Sequence, residues 1–389
     1  MKTYCKNADP SDLSTIKRFA WEAIQAKIKR RDYSEFVSRY CTLSAKEIRK
    51  RYHEGYAMFP ELDRALDCIA LDISLRIRNR QLNLEPIHYS ERTDGLSKKT
   101  RVIGIESVMQ QLMEHVAVGC MTELWEAKYE DHQYASIKGR GQLKGVKQIQ
   151  KWTKAGKTRY FVKLDVRKCF QSLNRETAMK WLQRDIGKNK LLLWFVDALL
   201  QLHQDGLVIG SLLSQFLCNY FMSYAYRFVM GLHKERRGKL IKLCTCALFY
   251  MDDILLCGND RRNLLMAVRK LIKYMKASFG LTIKPGWDIR RHELCGIDMM
   301  GYVVTAKGKI KVRGRVFLKA RRAFVRSLKG DERLKTQRRI SAYYGFFKAA
   351  KIKKLETLEG FFVYVKQLQN RASQIISADA KKEVLRCAA

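Results

Sequence analysis

Apolar positions recur along the chain with two periods. Over residues 11–80 the period is helical: Leu66, Ile69, Ile73 and Ile77 predict one buried stripe within a basic helical region. At 87–105, IHYSERTDGLSKKTRVIGI, two alternating stretches flank Asp94-Gly95 and predict a hairpin. Helical spacing returns over 105–128, with Val108, Leu112, Val116 and Leu124 on one side. The run TRYFVKLD, 158–165, reads as a buried strand ending in a carboxylate. Helix is predicted over 174–204, a break over 206–210, then a long apolar helix in SLLSQFLCNYFMSYAYRFVM. LCTCALFYMDDILLC, 243–257, reads as two short strands with a polar tip. A basic amphipathic helix over 261–279, strand-like pieces near 281–284 and 300–304, and the hairpin GYVVTAKGKIKVRG follow.

Composition adds a partner class. The 389 residues are 47% hydrophobic, enough to bury sizeable cores and to exclude a disordered basic tail. The length suggests two or three packed units. The net charge of +38 would repel itself strongly, so a polyanion, most often nucleic acid, is the expected partner. The last 85 residues, 305–389, carry 23 Lys+Arg against 6 Asp+Glu, almost half of that excess. There Phe317, Ala320, Phe324 and Leu328 give a helical apolar face beside Arg315, Lys319, Arg322, Arg326 and Lys329. The longest apolar stretch, 191–202, is interrupted by Asp197 and is too short to span a membrane, and no secretory signal is visible. Eleven scattered cysteines without zinc-finger spacing read as reduced thiols in a cytoplasmic protein.

The sharpest chemistry is Tyr250-Met251-Asp252-Asp253, two adjacent acids between some of the most apolar segments of the chain. Burying neighbouring carboxylates without compensation is costly, so positive charge should sit there. Asp165 ends a second apolar strand. If the two strands pair, Asp165, Asp252 and Asp253 converge. Three carboxylates can hold two hard cations about 3.5–4 Å apart, the arrangement that serves in-line phosphoryl transfer. The alternative is two unrelated exposed turns.

With these segments in hand, the chain resembles reverse transcriptases of the bacterial retroelement type over about 87–350. KLDVRKCFQSL, GLVIGSLLSQ, FYMDD, GLTIKPGW and IDMMGY resemble successive palm and primer-grip motifs; KKTRVIGI and YASIKGRG resemble the fingers motifs. The resemblance implies an α+β right-hand polymerase. Its parts would be an N-terminal helical extension (1–86), fingers (87–157), an antiparallel palm (158–304, with a helical insertion 174–204) and a helical thumb (305–389). It implies RNA-directed DNA polymerase activity, a nucleotidyl transfer with two Mg²⁺ ions or Mn²⁺ in their place. Asp165, Asp252 and Asp253, with the Val166 carbonyl, would hold the metals.

The nucleotide would meet Lys168, Cys169 and Phe170, with Phe170 as the steric gate against a ribose 2′-hydroxyl; plain core packing is the alternative for that ring. Ile209, Gly210 and Gln215 would touch template and nucleotide, and Lys284 the pyrophosphate. Lys99 and Arg101 would reach the triphosphate. Lys138 and Arg140 would do the same, grip the template, or simply form a solvated basic loop. Met300, Gly301 and Tyr302 would hold the primer end. Tyr343, Tyr344, Phe346 and Phe347 would stack on bases or, for at least half of them, pack in a core.

Ile209 and Gln215 depart from the Gln-Gly and Ser-Pro pattern of group II intron and retron enzymes. They resemble the Ile-Gly-x-x-x-Ser-Gln of diversity-generating retroelements, which copy a template RNA with errors at adenines and work with a small basic accessory protein. The expected partners are template RNA, RNA–DNA duplex, dNTPs, a structured non-coding RNA and that accessory protein, with no membrane. Phage-defence, retron and group II intron-like enzymes are the alternatives within the family. A non-catalytic RNA-binding subunit and an RNA-dependent RNA polymerase lie outside it.

Overall fold

The computed structural model describes residues 2–93, 100–356 and 362–388. Four helices open the chain: α1 (Leu13–Lys27), α2 (Arg31–Ser38), α3 (Ala45–His53) and α4 (Pro60–Arg78). Their starts carry local signals. Asp12 accepts from the Thr15 N–H, Ser44 and Glu47 form a reciprocal capping box, and Pro60 opens α4. The stripe Leu66, Ile69, Ile73 and Ile77 is fully buried, as its spacing predicts.

Strands β1 (His88–Thr93) and β2 (Thr100–Ile105) pair antiparallel from His88↔Ile105 to Thr93↔Thr100. The Asp94-Gly95 turn between them lies outside the described residues. The helix read over 105–128 is two, α5 (Val108–Cys120) and α6 (Thr122–Lys128), broken at Met121, which leaves helical geometry. Next come α7 (Gln142–Lys154), β3 (Tyr160–Asp165), the short α8 (Cys169–Ser172), α9 (Arg175–Ile186) and α10 (Lys190–Leu200). The helical run 174–204 is thus interrupted, and Asn189 caps α10 through the Leu192 N–H at 3.0 Å.

After α11 (Leu212–Met230), an unforeseen hairpin, β4 (His233–Arg236) and β5 (Lys239–Lys242), turns on Arg237 and Gly238, both at positive φ. The chain continues through β6 (Cys246–Tyr250), β7 (Asp253–Gly258) and α12 (Arg261–Phe279). Residues 281–284 form no strand; Ile283 makes one isolated bridge to Val166. Three short strands follow β8 (Arg290–Arg291): β9 (Ile297–Met299), β10 (Tyr302–Val304) and β11 (Ile310–Val312). The C-terminal part holds α13 (Gly314–Leu328), α14 (Leu334–Ala349), β12 (Lys354–Glu356), β13 (Phe362–Tyr364) and α15 (Val365–Ala388). Among the described residues it is therefore helical except for one strand pair, β12–β13.

The central sheet is antiparallel, in the order β6-β7-β3-β8. Both of its faces are covered, which explains why its strands read as continuous apolar runs. Val162, Leu164, Ala247, Phe249, Ile254 and Leu256 face a large core shared with α1, α4, α5 and α9–α12. Phe161, Cys246, Leu248, Leu255 and Cys257 face a second core with α7, β9 and β10. The first core runs unbroken from Cys5 to Ile289, across residue 86. A third core lies in the C-terminal part, around Phe324, Ile340 and Phe347. Phe324 and Ala320 are buried there as expected, but Leu328 is 46% exposed and Val316 takes a buried place instead. Helix α15 also touches α3. Among the described residues no helix is long and apolar enough to cross a membrane.

Candidate active site

Strands β3 and β7 pair so that Asp165 stands opposite Asp253. Strands β6 and β7 are joined by the two-residue turn Met251-Asp252, with Tyr250 opposite Asp253 and Met251 at φ +53°. The Val166 N–H donates to the Asp252 carbonyl at 3.1 Å, which ties the turn to the end of β3. The convergence of the three aspartates at one end of the sheet is thus a consequence of backbone register.

Three neighbouring carboxylates need positive charge, and the site supplies it. The Lys284 ammonium lies 2.5 Å from Asp165 Oδ1, and Lys163 Nζ lies 3.4 Å from Asp253 Oδ1. Among the described residues Asp165 Oδ1, which is buried, makes no hydrogen bond of good geometry, so its contact with Lys284 is an ion pair only. Burial first, then the charges of Asp253 and Asp165, push the Asp252 carboxyl above its usual range, while Arg101 opposes the shift. A half-buried set of hard oxygen donors, one of them without a hydrogen-bond donor, fits Mg²⁺ or Mn²⁺.

The surrounding residues divide. Arg101 is exposed on β2 opposite Arg92 and is near enough to act on Asp252. Lys99 lies outside the described residues. Lys168 is exposed, in left-handed geometry at φ +44°, and leads into α8. Cys169 departs from expectation: its side chain is 4% exposed, with Sγ 3.6 Å from Cys218 Sγ, so only its main chain is left to face a nucleotide. Phe170 is half-buried against the main core, and its carbonyl accepts from the Leu207 N–H at 3.0 Å. That bond brings the loop 206–210 beside α8. The Ile209 carbonyl accepts from the Gly104 N–H at 2.9 Å, which joins the loop to β2. Gly210, at φ +121°, packs so close that a Cβ would meet the Gly104 carbonyl oxygen at 2.5 Å. Gln215 is half-buried on α11.

Other expected contacts are displaced. Lys138 is exposed, but the Arg140 guanidinium donates to the Glu130 and Gln133 carbonyls, so its donors are partly committed to the backbone. Both residues line a cavity of about 720 Å³ with Trp125, Tyr129 and Phe216. Met300 and Tyr302 are only 6% and 4% exposed and pack in the second core, with Tyr302 against Phe346. A primer end would therefore meet the turn Met300-Gly301, both at positive φ, rather than those side chains. Phe347 is fully buried and Tyr343, Tyr344 and Phe346 are half-buried, which favours packing over base stacking.

The residue patterns left one cluster unseen. Among the described residues, the group of three whose ligand atoms all lie within 4.8 Å of one another is Glu106, Glu114 and His203. Burial, then Glu114, pushes Glu106 up to about 9; burial also raises Glu114 and lowers His203 to about 4.

The sequence matches the reverse transcriptase (RNA-dependent DNA polymerase) family over residues 90–286, just over half of the chain. The chain belongs to that family. The matched span contains β3, β6 and β7 with all three aspartates, and the fold is the family's α+β right-hand polymerase. Among solved structures, the chain is similar to telomerase from Candida albicans in complex with a fragment of telomeric RNA, at 12% identity and a TM-score of 0.42. The match covers 79% of this chain and 65% of that one. Apo telomerase from Candida tropicalis, truncated of its C-terminal domain, gives 12% identity and a TM-score of 0.41 over 69% of each chain. No curated protein matches the sequence.

Proposed function

We propose that this reverse transcriptase extends a primer 3′ end on an RNA template, with Asp165, Asp252 and Asp253 as the metal-holding carboxylates. The observation that carries the reading is the β3–β7 register, which sets Asp165 opposite Asp253 beside the Met251-Asp252 turn. When bound by these carboxylates and the Val166 carbonyl, Mg²⁺ or Mn²⁺ supplies acidification of the primer hydroxyl and charge for the leaving pyrophosphate. The chain's own groups do the rest. Arg101, on the exposed face of β2, meets the triphosphate as a planar, permanently charged fork. Phe170, fixed by α8, fills the space beside the sugar and selects a deoxynucleotide. The 206–210 loop, bonded to both Phe170 and Gly104, holds the nascent pair between palm and fingers. Lys284 keeps its ammonium at Asp165, where a proton can pass to pyrophosphate. The exposed Arg315, Arg322 and Arg326 of α13 follow duplex phosphates as a thumb.

The test is primer extension on an RNA template with Asp252→Asn. Extension should fall by about 10³-fold or more, since several kcal/mol of charge stabilisation is lost, with duplex binding retained. Substantial extension by the variant refutes the assignment.

Within the family, Ile209 and Gln215 support a diversity-generating retroelement enzyme. Its error at template adenines follows from an apolar Ile209 where a polar side chain would otherwise check the pair. Ile209→Gln should then lower misincorporation opposite adenine; an unchanged error spectrum counts against this class.

A further inference from the structure

The Glu106–Glu114–His203 cluster shares no residue with the aspartate site, and the polymerase reading does not use it. Glu114 is fully buried on α5. One of its oxygens accepts from Ser211 Oγ at 2.7 Å; the other accepts from the Leu212 and Leu213 N–H groups at 2.8 and 3.2 Å. It therefore caps the N-terminus of α11. Glu106, 7% exposed, precedes the N-cap of α5 and has Oε1 buried without a hydrogen-bond partner among the described residues. His203 follows α10, with both ring nitrogens buried and, among the described residues, without a hydrogen-bond partner. A buried imidazole ordinarily satisfies at least one nitrogen. Gln110, one turn before Glu114 on the same face of α5, is also fully buried, with neither amide atom partnered. Lys27 is the cation that acts on both glutamates, but its ammonium is bonded to Gln111 and Tyr33. So many unsatisfied polar atoms in one place are expensive unless something absent from the protein chain completes them.

We propose that Glu106, Glu114 and His203 bind a structural divalent transition-metal ion of the Zn²⁺ type, which ties α5 to the loop leading into α11. One imidazole and two carboxylates, all within 4.8 Å, form a three-ligand set suited to Zn²⁺ and poorly suited to Mg²⁺, which prefers oxygen and water. Gln110, one turn from Glu114 and with an unpartnered amide among the described residues, would orient a ligand or a metal-bound water. A cavity of about 330 Å³, lined by His203, Gln204, Asn174 and Gly206, gives the ion a way in. The ion would fix the same loop that carries Ile209 and Gly210.

The experiment uses the full chain, stripped with a chelator and titrated with Zn²⁺ against a chromophoric competitor. An Asp252→Asn background weakens binding at the polymerase site, so that the tight site is read apart from it. One tight Zn²⁺ per chain is expected there, with loss of at least about tenfold in affinity in His203→Ala and in Glu106→Gln. Co²⁺ in place of Zn²⁺ should show visible absorption bands that vanish in His203→Ala. A hundredfold excess of Zn²⁺ over Kd should raise the melting temperature of the Asp252→Asn protein by roughly 3 °C and leave His203→Ala unmoved. If the Asp252→Asn protein takes up no Zn²⁺, the two carboxyls share a proton instead and the proposal fails. It fails equally if His203→Ala binds Zn²⁺ as tightly. Both readings rest on binding by folded protein, so a variant that does not fold leaves the Asp252→Asn titration to decide.

Discussion

Lys284 meets Asp165 twice: its N–H donates to the Asp165 carbonyl at 2.9 Å, and its ammonium lies 2.5 Å from Oδ1 of the same residue. The backbone bond fixes the segment after α12 against the end of β3, and the side chain then offers a cation where a metal ligand is expected. Ammonium and metal compete for one carboxylate. Both partners are more than a third exposed, so solvent screening limits the pair to about 1 kcal/mol or less. Lys284→Gln should therefore lower the Mg²⁺ concentration for half-maximal primer extension by up to about fivefold. A Mg²⁺ titration of the initial rate reads this directly. An unchanged or higher requirement means that the ion pair does not compete with the metal.

The strands that carry the aspartates were legible because both faces of the central sheet are buried. Apolar runs such as Phe161-Val162 and Leu248-Phe249 leave a charged residue conspicuous, so Asp165 and the Asp252-Asp253 pair stood out. The Glu106–Glu114 pair did not. On α5 the periodic apolar positions are Val108, Leu112 and Val116, and Glu114 falls outside that stripe. That helix is covered on most sides, and Met109, Gln110, Met113 and Glu114 are buried too. The inward turn of Cys169 depends on the left-handed Lys168 before it. The burial of Met300 depends on Gly145 of α7, where a Cβ would lie 2.9 Å from the Met300 sulfur. Such tertiary contacts leave no periodic signal.

Asp185 on α9 is 1% exposed and accepts from Tyr220 Oη at 2.7 Å and Tyr224 Oη, with Lys128 Nζ at 2.9 Å. Its carbonyl accepts from the Tyr4 N–H at 2.8 Å. Burial alone would push the carboxyl up, but the bonds from Tyr220, Tyr224, Lys128 and Arg184 outweigh it and leave it below its ordinary value. A carboxyl with a depressed folded-state value stabilises the protein above the unfolded value, near 3.9, and loses that contribution as pH falls through the folded value. Asp185→Ala should cost about 3–5 kcal/mol at pH 7, because Lys128 is left buried and uncompensated. The deficit should narrow only below about pH 4. Chemical denaturation of both proteins across pH 3–7 checks it; a deficit that already closes by pH 5.5 contradicts the assignment.

Gly210 is required twice over. Its φ of +121° strains any other residue, and a Cβ there would sit 2.5 Å from the Gly104 oxygen and 3.1 Å from Ile103 Cγ2. Gly139, at φ +75°, has open space around its Cβ position and carries the backbone cost alone. Gly139→Ala should thus lose about 1 kcal/mol, and Gly210→Ala about 1–3 kcal/mol more. Gly210→Ala should also slow primer extension more than its stability loss explains, because β2 and the 206–210 loop must separate. Denaturant unfolding beside initial rates, both at 25 °C, separates the two effects. Equal losses in the two variants would remove the case for close packing between β2 and the loop.

Charge on α13 sets the salt dependence expected of duplex binding. Arg315, Arg322 and Arg326 are exposed along one helix, beside a face buried through Ala320 and Phe324. Each side chain that neutralises a duplex phosphate releases condensed counterion, and each such contact contributes about 0.9 to the slope of log affinity against log salt, a figure measured on B-DNA. Replacing Arg322 and Arg326 together by Gln should lower that slope by about two while weakening binding to all duplex sequences alike. The catalytic rate at saturating duplex should be nearly unchanged, since neither residue is near the aspartates in sequence or shares a core with β3. Fluorescence anisotropy with an RNA–DNA hybrid between 50 and 300 mM salt measures the slope. A pair of Gln substitutions that leaves the slope intact shows that duplex phosphates run elsewhere and that α13 is a solvated basic face.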